Sequence, residues 1–598
     1  MKIAVCVKQV PRLDQVEFHP KTNRIVREGV ETELNPLDLK ALGHGLALRE
    51  SAGGEVLVIT MGPPDARREL EDAVRRGADR AVHLVDQRFA GADTLATARA
   101  LAHALRLEEL DLVLFGRSTL DGATAQVGPQ VAELLGVAQL TQATELEADG
   151  EGGLLVTCET ERGVERWRAP LPLAVTVERG PDAPEPDADR VAEVQEREAE
   201  ALGGGPRDYG TRGSKTYVTE VNAVSIEREV ERLEGVRAGA ERIEALVRER
   251  VRDPAPESAA GEVREREPTR ALWVLAEHDR DGLHPVSFEG LACARRVAGE
   301  LDAEVVSVLA CADPGDSPRE LAAHGADRVL VLRHPALADY ATEPYTAAVA
   351  AAVEAREPFA VIGPWSAQGR DYVPRMAARL GLGLTGDFTG LRVEDADTDE
   401  PDLLWLKPAW AGTVEAPIIA HTEPSVGTLR PGVFGVPARH EGREVPVEEL
   451  EPRLAEAGGA EPSREGRDVH VDAASLLDAA PIVVCVGEDL SAEGVKSAEA
   501  LAHALGGSFG ATSAAVAAGH APPQLEVGVL KRSIAPLLFL ALGVHEEEDL
   551  DAVRGARTIV TVDPDADAPA HRRADLAVVA DAAEMASALL ERHEERGQ

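Results

Sequence analysis

One long pattern occurs twice in this chain, and that repeat constrains the fold more than any single motif. In the first copy, Glu55-Val-Leu-Val-Ile59 leads to Gly77-Ala-Asp-Arg80, then to Asp111-Leu-Val-Leu-Phe-Gly116, a loop of small residues, and Ala132-Glu-Leu-Leu-Gly136. The second copy runs Glu304-Val-Val-Ser-Val308, Gly325-Ala-Asp-Arg328, Phe359-Ala-Val-Ile-Gly363, another small-residue loop, and Ala377-Ala-Arg-Leu-Gly381. A repeat this long means two homologous domains, not a solenoid of short units. A third unit resembling neither copy follows. Two copies of one fold facing each other can frame a cofactor held by a third.

Within each copy, short Val/Leu/Ile runs alternate with helical stretches, the mark of βαβ units and a parallel sheet. Strands are expected at 3–7, 56–60, 81–84 and 112–115, and again at 272–276, 305–309, 328–332 and 360–362. Each copy closes with an antiparallel element, 161–167 before 170–176 and 408–414 before 417–420. Only 3% of the 598 residues are aromatic, so the cores must be built from Ala, Val and Leu, as in helices packed on parallel sheets. The fold class is therefore α/β: two homologous parallel-sheet, adenine-nucleotide-binding-like domains plus a smaller C-terminal dinucleotide-binding-like domain without a GxGxxG. The expected boundaries are 1–252 (domain and C-terminal arm), 253–269 (linker), 270–450, 451–479 (linker) and 480–598. Both linkers are rich in Pro, Gly and charge.

The formal net charge of -42 repels nucleic acid and anionic lipid, which excludes both as partners. It favours basic patches on protein partners, or reflects a solubility adaptation to salt or heat. The five cysteines form no CxxC pair and read as core thiols in a reduced compartment. The N-terminus enters a strand at once, without the layout of a signal peptide. No apolar run approaches the ~18 residues of a membrane span. A cytoplasmic location follows, with no membrane insertion. The 16 histidines show no ligand spacing, and no metal site is expected. His19, His44 and His83 read as surface or helix-face residues.

The most chemical loop spans 116–129, Gly-Arg-Ser-Thr-Leu-Asp-Gly-Ala-Thr-Ala-Gln-Val-Gly-Pro. It leaves the carboxyl end of a buried strand, where open α/β sheets bind ligands, and opens a helix near Pro129. Free amides at that helix start, with Thr124 and Gln126 as side-chain donors, suit a phosphate; an ordinary βα turn is the plain alternative. At the equivalent place the second copy offers 365–371, where Arg370 suits a phosphate or a structural salt bridge. Asn35-Pro36-Leu37-Asp38 reads as an Asn cap with Pro in the first turn. No nucleophile or acid–base constellation can be assembled, so there are no catalytic candidates and the chain is not read as a substrate-transforming enzyme.

The first copy resembles the beta subunit of electron transfer flavoproteins, through Val5-Cys-Val-Lys-Gln-Val-Pro11, Asn35-Pro-Leu-Asp38, Met61-Gly-Pro-Pro64 and Asp121-Gly-Ala-Thr-Ala-Gln-Val-Gly-Pro129. Arg212-Gly-Ser-Lys-Thr216 and the charged helix after it look like that subunit's clasping arm. The second copy resembles the amino-terminal domain of the alpha subunit, through Leu275-Ala-Glu-His278, Pro285-Val-Ser-Phe288, Gly369-Arg-Asp371 and Thr428-Leu-Arg-Pro-Gly-Val-Phe434. The third unit falls where that subunit carries its FAD domain. The resemblance implies a beta–alpha fusion that shuttles electrons between dehydrogenases and an acceptor, with AMP, or FAD in bifurcating members, in the beta-like domain. It places Val7, Asn35, Pro36, Asp38, Met61, Gly116, Asp121, Gly122, Thr124, Gln126, Val127 and Gly128 at that nucleotide. Ala123 departs from the family's usual Asp.

The third unit departs further. The family's Gly-Arg-Gly turn is here Gly487-Glu488-Asp489, its Ser-Arg is Thr512-Ser513, and its Gln-Thr-Gly-Lys is Val529-Leu530-Lys531-Arg532. Its Ser-Gly-Ala-Ile-Gln-His is His545-Glu546-Glu547-Glu548-Asp549-Leu550, and Asp563 stands at a usual Asn. Four consecutive carboxylates at a helix start are expected to satisfy that helix themselves and to repel a diphosphate, which argues against FAD in this domain. The docking segment, usually basic, is inverted to Pro181-Asp-Ala-Pro-Glu-Pro186 and Glu193-Val-Gln-Glu-Arg-Glu-Ala-Glu200. Two readings stay open: an electron carrier with an unidentified dehydrogenase or redox partner, or a non-redox nucleotide-binding scaffold that has lost FAD. Fusion of both halves makes a monomer the default.

Overall fold

In the computed structural model, residues 13–16, 19–24, 27–30, 224–227, 250–267, 280–281, 397, 399–400, 410–413, 453, 455–460, 470–476, 478–479, 529–533 and 598 lie outside the described residues. The remaining chain forms three large open sheets, a small antiparallel one and three two-stranded ribbons. In the first sheet, Val194–Arg197, Arg80–Leu84, Glu55–Met61, Lys2–Cys6, Leu112–Gly116, Leu173–Val177 and Ala138–Ala148 run side by side, all parallel. Leu154–Glu159 and Gly163–Ala169 continue it antiparallel.

The second sheet repeats that order as Val447–Leu450, Arg328–Arg333, Ala303–Cys311, Arg270–Ala276, Ala360–Pro364, Ser425–Leu429 and Leu384–Phe388. The two copies are thus the same fold. Strands buried on both faces carry continuous apolar runs, and small residues let helices sit close to them. Helix Thr94–Arg106, for example, buries Leu95, Leu101 and Leu105 together with five alanines, and each fully buried leucine contributes roughly 1.5–3 kcal/mol.

The third sheet, Glu526–Val527, Ser508–Thr512, Ile482–Val486, Leu538–Leu542, Ile559–Asp563, Leu576–Val579 and Glu231–Glu234, is wholly parallel, and this seventh strand comes from the first half of the chain. Glu231–Glu234 pairs with Leu576–Val579, and the helix that follows, Val236–Val247, buries Ile243, Leu246 and Val247 in the third domain's core. Earlier in the same arm, Thr216–Val218 pairs with Val414–Ala420 of the second copy. In return Ser463–Val469, inside the 451–479 stretch, adds antiparallel to Gly163–Ala169 of the first sheet, with Arg168 Nε 2.7 Å from Glu465. Each exchange covers an edge that would otherwise expose unpaired backbone groups.

His44 is a helix-face residue as expected, and His83 corrects the sequence reading. His44 lies on the buried face of helix Pro36–Ala52, with Nε2 2.8 Å from the Arg179 carbonyl. His83 is 1% exposed within its strand; burial holds both below the ordinary imidazole range. His19 lies outside the described residues. No helix among the described residues is long and apolar enough to cross a membrane.

Candidate functional site

Lys2–Cys6 has Glu55–Met61 on one side and Leu112–Gly116 on the other, so the chain order reverses across it. The crevice beyond the carboxyl ends of such strands is where open α/β sheets place ligands. A cavity of about 720 Å³ opens there, walled by Val7, Lys8, Asp38 and Met61, by 85–97 on one flank and by 115–128 on the other. Gly116, Gly122, Thr124, Gln126, Val127 and Gly128 all line it, whereas Asn35, Pro36 and Asp121 do not. Asn35 and Asp121 act from behind.

Asn35 precedes helix Pro36–Ala52, yet its side chain makes no cap hydrogen bond, which corrects the reading of an Asn cap. It spans to the 116–129 loop instead: Nδ2 donates to the Ser118 carbonyl at 3.0 Å, and the Leu120 amide donates to Oδ1 at 3.3 Å. Asp38, 4% exposed, accepts from the amides of Lys8 (2.8 Å) and Gly116 (3.1 Å). Burial outweighs these bonds and pushes its carboxyl up to about 7. Gly116 is required here because a Cβ would stand 2.4 Å from Asp38 Oδ1.

Asp121 accepts from Lys8 Nζ at 2.8 and 2.6 Å, from Thr119 Oγ1 and from the Gly122 amide, both at 2.7 Å. Lys8, which the sequence reading passed over, thereby ties the end of the central strand to the loop. A cation directly after a buried parallel strand is the signal that would have found it.

Two residues of this loop, Ala123 (φ 44°) and Ala125 (φ 48°), are left-handed without being glycine. Such conformations cost ~1–3 kcal/mol each and cluster at ligand sites. Among the described residues no acceptor meets the amides of Thr124, Ala125 or Gln126, and helix Val127–Leu135 starts immediately after. Gln126 is 1% exposed. Thr94 Oγ1 donates to its Oε1 at 2.7 Å, which leaves Nε2 as a buried donor without a partner. Leaving such a donor unmet costs ~1–3 kcal/mol. An acceptor-rich anionic ligand would satisfy it, together with the open amides and the helix N-terminus. The site fits a nucleotide.

The second copy carries the same frame with different contents. Thr342 Oγ1 donates to Asp371 Oδ2 at 2.6 Å, the counterpart of Thr94 and Gln126. Where the first copy has Thr97 and Val127 along its cavity, the second has Tyr345 and Tyr372. With Tyr340 these rings pack at centroid distances of 4.9 to 6.3 Å, and the Tyr340 hydroxyl donates to Asp371. A smaller cavity of about 220 Å³ remains outside, bordered by Glu161, Glu277 and Asp371. Arg370 donates to Gln142 of the first copy at 2.7 Å and lies over the Trp365 ring; it tethers the two copies.

In the third sheet the order reverses beside Ile482–Val486, and the crevice lies between the loops at 487–490 and 543–549. These loops touch: a Cβ on Gly487 would stand 1.8 Å from the Gly543 carbonyl oxygen. Asp549 sits among Glu546, Glu548 and Glu488, and burial followed by those charges raises its carboxyl. The carboxylates open a six-residue 3-10 turn, Glu548–Val553, without a side-chain cap bond from Glu547, so they do not satisfy a helix start as expected. His545 Nδ1 is 3.5 Å from Asp563. Thr512 caps the short helix Ser513–Ala517 through the Ala515 amide. Ser513 donates to Glu526, whose other oxygen takes Arg179 of the first copy at 3.0 Å. Val529 and Leu530 lie outside the described residues. Two unit charges at 4 Å repel by about 4 kcal/mol at an effective dielectric of 20. Four converging carboxylates do not fit a dianionic diphosphate.

Among the described residues no three His, Cys, Asp or Glu stand together to hold a metal. Fold and site therefore define a nucleotide-binding α/β protein of two facing homologous domains and a third clasped by the arm of the first. The chain belongs to the electron transfer flavoprotein family: residues 22–202 and 272–455 match its electron transfer flavoprotein domain, and 476–548 match the electron transfer flavoprotein FAD-binding domain. Protein FixA of Azorhizobium caulinodans is 44% identical over 246 residues, 38% of this chain and 86% of that protein. The electron transfer flavoprotein subunit beta of Thermoanaerobacterium thermosaccharolyticum is 38% identical over 235 residues, 38% of this chain and 90% of that protein. The caffeyl-CoA reductase-Etf complex subunit CarD of Acetobacterium woodii is 42% identical over 178 residues, 29% of this chain and 68% of that protein.

Proposed function

We propose that the protein is a single-chain electron carrier holding one nucleotide, FAD, in the first-copy cavity, and passing electrons between a dehydrogenase or other redox protein and a downstream acceptor. The observation that carries this reading is the buried, unpartnered Gln126 Nε2 on a cavity floored by unpaired amides. FAD supplies the redox chemistry when bound; the chain's own groups bind, orient and shield it. Lys8, paired with Asp121, and Arg117, held by Glu178 at 2.5 Å, stand on the wall as fixed donors. Electron carriage requires a redox group, and the third-domain crevice repels the one its family is described by. The first cavity is left as the place for it.

The exchanged strands make each half complete the other, in keeping with a monomer located in the cytoplasm. The inverted docking segment suits a partner with a basic face. The acidic third-domain loop favours a second reading, a non-redox scaffold with AMP in the same cavity. Denaturing the purified protein and identifying the released nucleotide by mass and absorbance separates the two. Stoichiometric FAD is expected, one per chain; AMP alone or no nucleotide would move the protein to the scaffold class.

A further inference from the structure

Lys407 is 5% exposed in strand Asp402–Ala409 of the second copy. Its Nζ donates to the Gly386 carbonyl at 2.9 Å and to the Ala123 carbonyl of the first copy at 3.4 Å. Ala123 begins the left-handed pair of the nucleotide loop. Gly386 presses on the same loop from the same side: a Cβ there would stand 2.5 Å from Gln126 Nε2 and 3.1 Å from the Thr124 carbonyl oxygen. The charged groups facing Lys407 are Asp387 and Arg430, which pair with each other at 2.8 and 2.6 Å. With that carboxylate engaged by arginine, the Lys407 nitrogen bonds two carbonyls, one in each copy.

We propose that Lys407 is a positioning residue for the nucleotide site of the opposite copy: by holding the Ala123 carbonyl it keeps the 122–126 loop in its strained, amide-presenting form. The first copy alone then carries every lining residue and still presents a loose loop. Nucleotide affinity and docking of the two copies become one equilibrium, because whatever loosens the interface around Lys407 also relaxes the loop. This inference rests on the first cavity being the nucleotide site, but its mechanical part can be read without any ligand.

The test uses the full-length chain, stripped of nucleotide and titrated with FAD and with AMP by calorimetry. Lys407→Met is expected to weaken binding about tenfold, or about 1.4 kcal/mol, and Lys407→Arg to restore most of it. Burial lowers the Lys407 ammonium to about 8. Wild-type affinity should therefore fall as pH rises through that value, while Lys407→Arg, charged throughout, stays flat. In the ligand-free chain, hydrogen exchange of the peptide spanning 122–128 should quicken in Lys407→Met. Unchanged affinity and unchanged exchange in Lys407→Met overturn the proposal. If that variant does not fold, a wild-type pH profile as flat as that of Lys407→Arg overturns it equally. Should the wild type bind neither nucleotide, the site reading fails, and faster exchange in Lys407→Met still supports the positioning role.

Discussion

The two copies share strand order, helix starts and the threonine-to-loop bond, yet one encloses a cavity of about 720 Å³ and the other is packed shut. The difference lies in a handful of side chains. Thr97 and Val127 leave space in the first copy; Tyr345 and Tyr372 fill it in the second, using two of only five tyrosines in the chain. The polar lining differs as well, with Lys8 and the neutral Gln126 amide on one side and the carboxylates of Glu277 and Asp371 on the other. A duplicated frame thus carries one open cavity and one filled block. From the filled copy, Lys407 and Gly386 reach across to the 122–126 loop of the open one.

The comparison breaks most sharply if the plug is transplanted. Thr97→Tyr with Val127→Tyr should lower FAD or AMP affinity at least about a thousandfold, about 4 kcal/mol, while circular dichroism stays unchanged; retained binding by calorimetry would place the nucleotide elsewhere. Asp38 gives an effect of up to about 4 kcal/mol on stability. Its folded carboxyl, at about 7, lies above its ordinary value of 3.8, so the folded state holds the proton longer than the unfolded state. Stability should therefore fall as pH rises from about 4 to about 7 and level off above that. Asp38→Asn should remove this slope in urea unfolding, and an unaltered slope would reassign it to other groups.

Emptying the block is the reverse experiment. Tyr372→Val should lower the stability of the second copy by about 3 kcal/mol through the cavity it leaves, without creating a second nucleotide site, because Glu277 and Asp371 remain. A second equivalent of bound AMP would show that ring volume alone, and not charge, closed that site. The smallest effect is expected at the tie between the first and third domains. Glu526→Gln removes a part-buried charge pair with Arg179 and should cost about 1 kcal/mol or less, seen as faster hydrogen exchange at 513–526. No change there would mean that the exchanged strands alone hold the third domain.

Much of this was legible in the residues. The repeated Val-rich runs and Gly-Ala-Asp-Arg turns predict two parallel-sheet domains, because strands buried on both faces have no polar side to disguise them. Nine of the twelve residues expected at the nucleotide line the cavity. The other three were legible as important but not in their role: Asn35 looks like a cap, and only its bonds to Ser118 and Leu120 show it working across the sheet. His44 and His83 could not be read as buried, since a neutral imidazole facing a carbonyl or an apolar wall leaves no periodic signal.

By itself the sequence determined the duplicated α/β frame, the acidic third-domain loop and the glycine-rich approach to the first cavity. These are local matters of hydrophobic period, charge run and steric room. Only the tertiary structure decided that one copy is open and the other plugged, that the chain's halves exchange strands, and that Lys407 meets Ala123. Those pairings join residues hundreds of positions apart. Their energy comes from packing and buried hydrogen bonds between surfaces that exist only once both domains have folded.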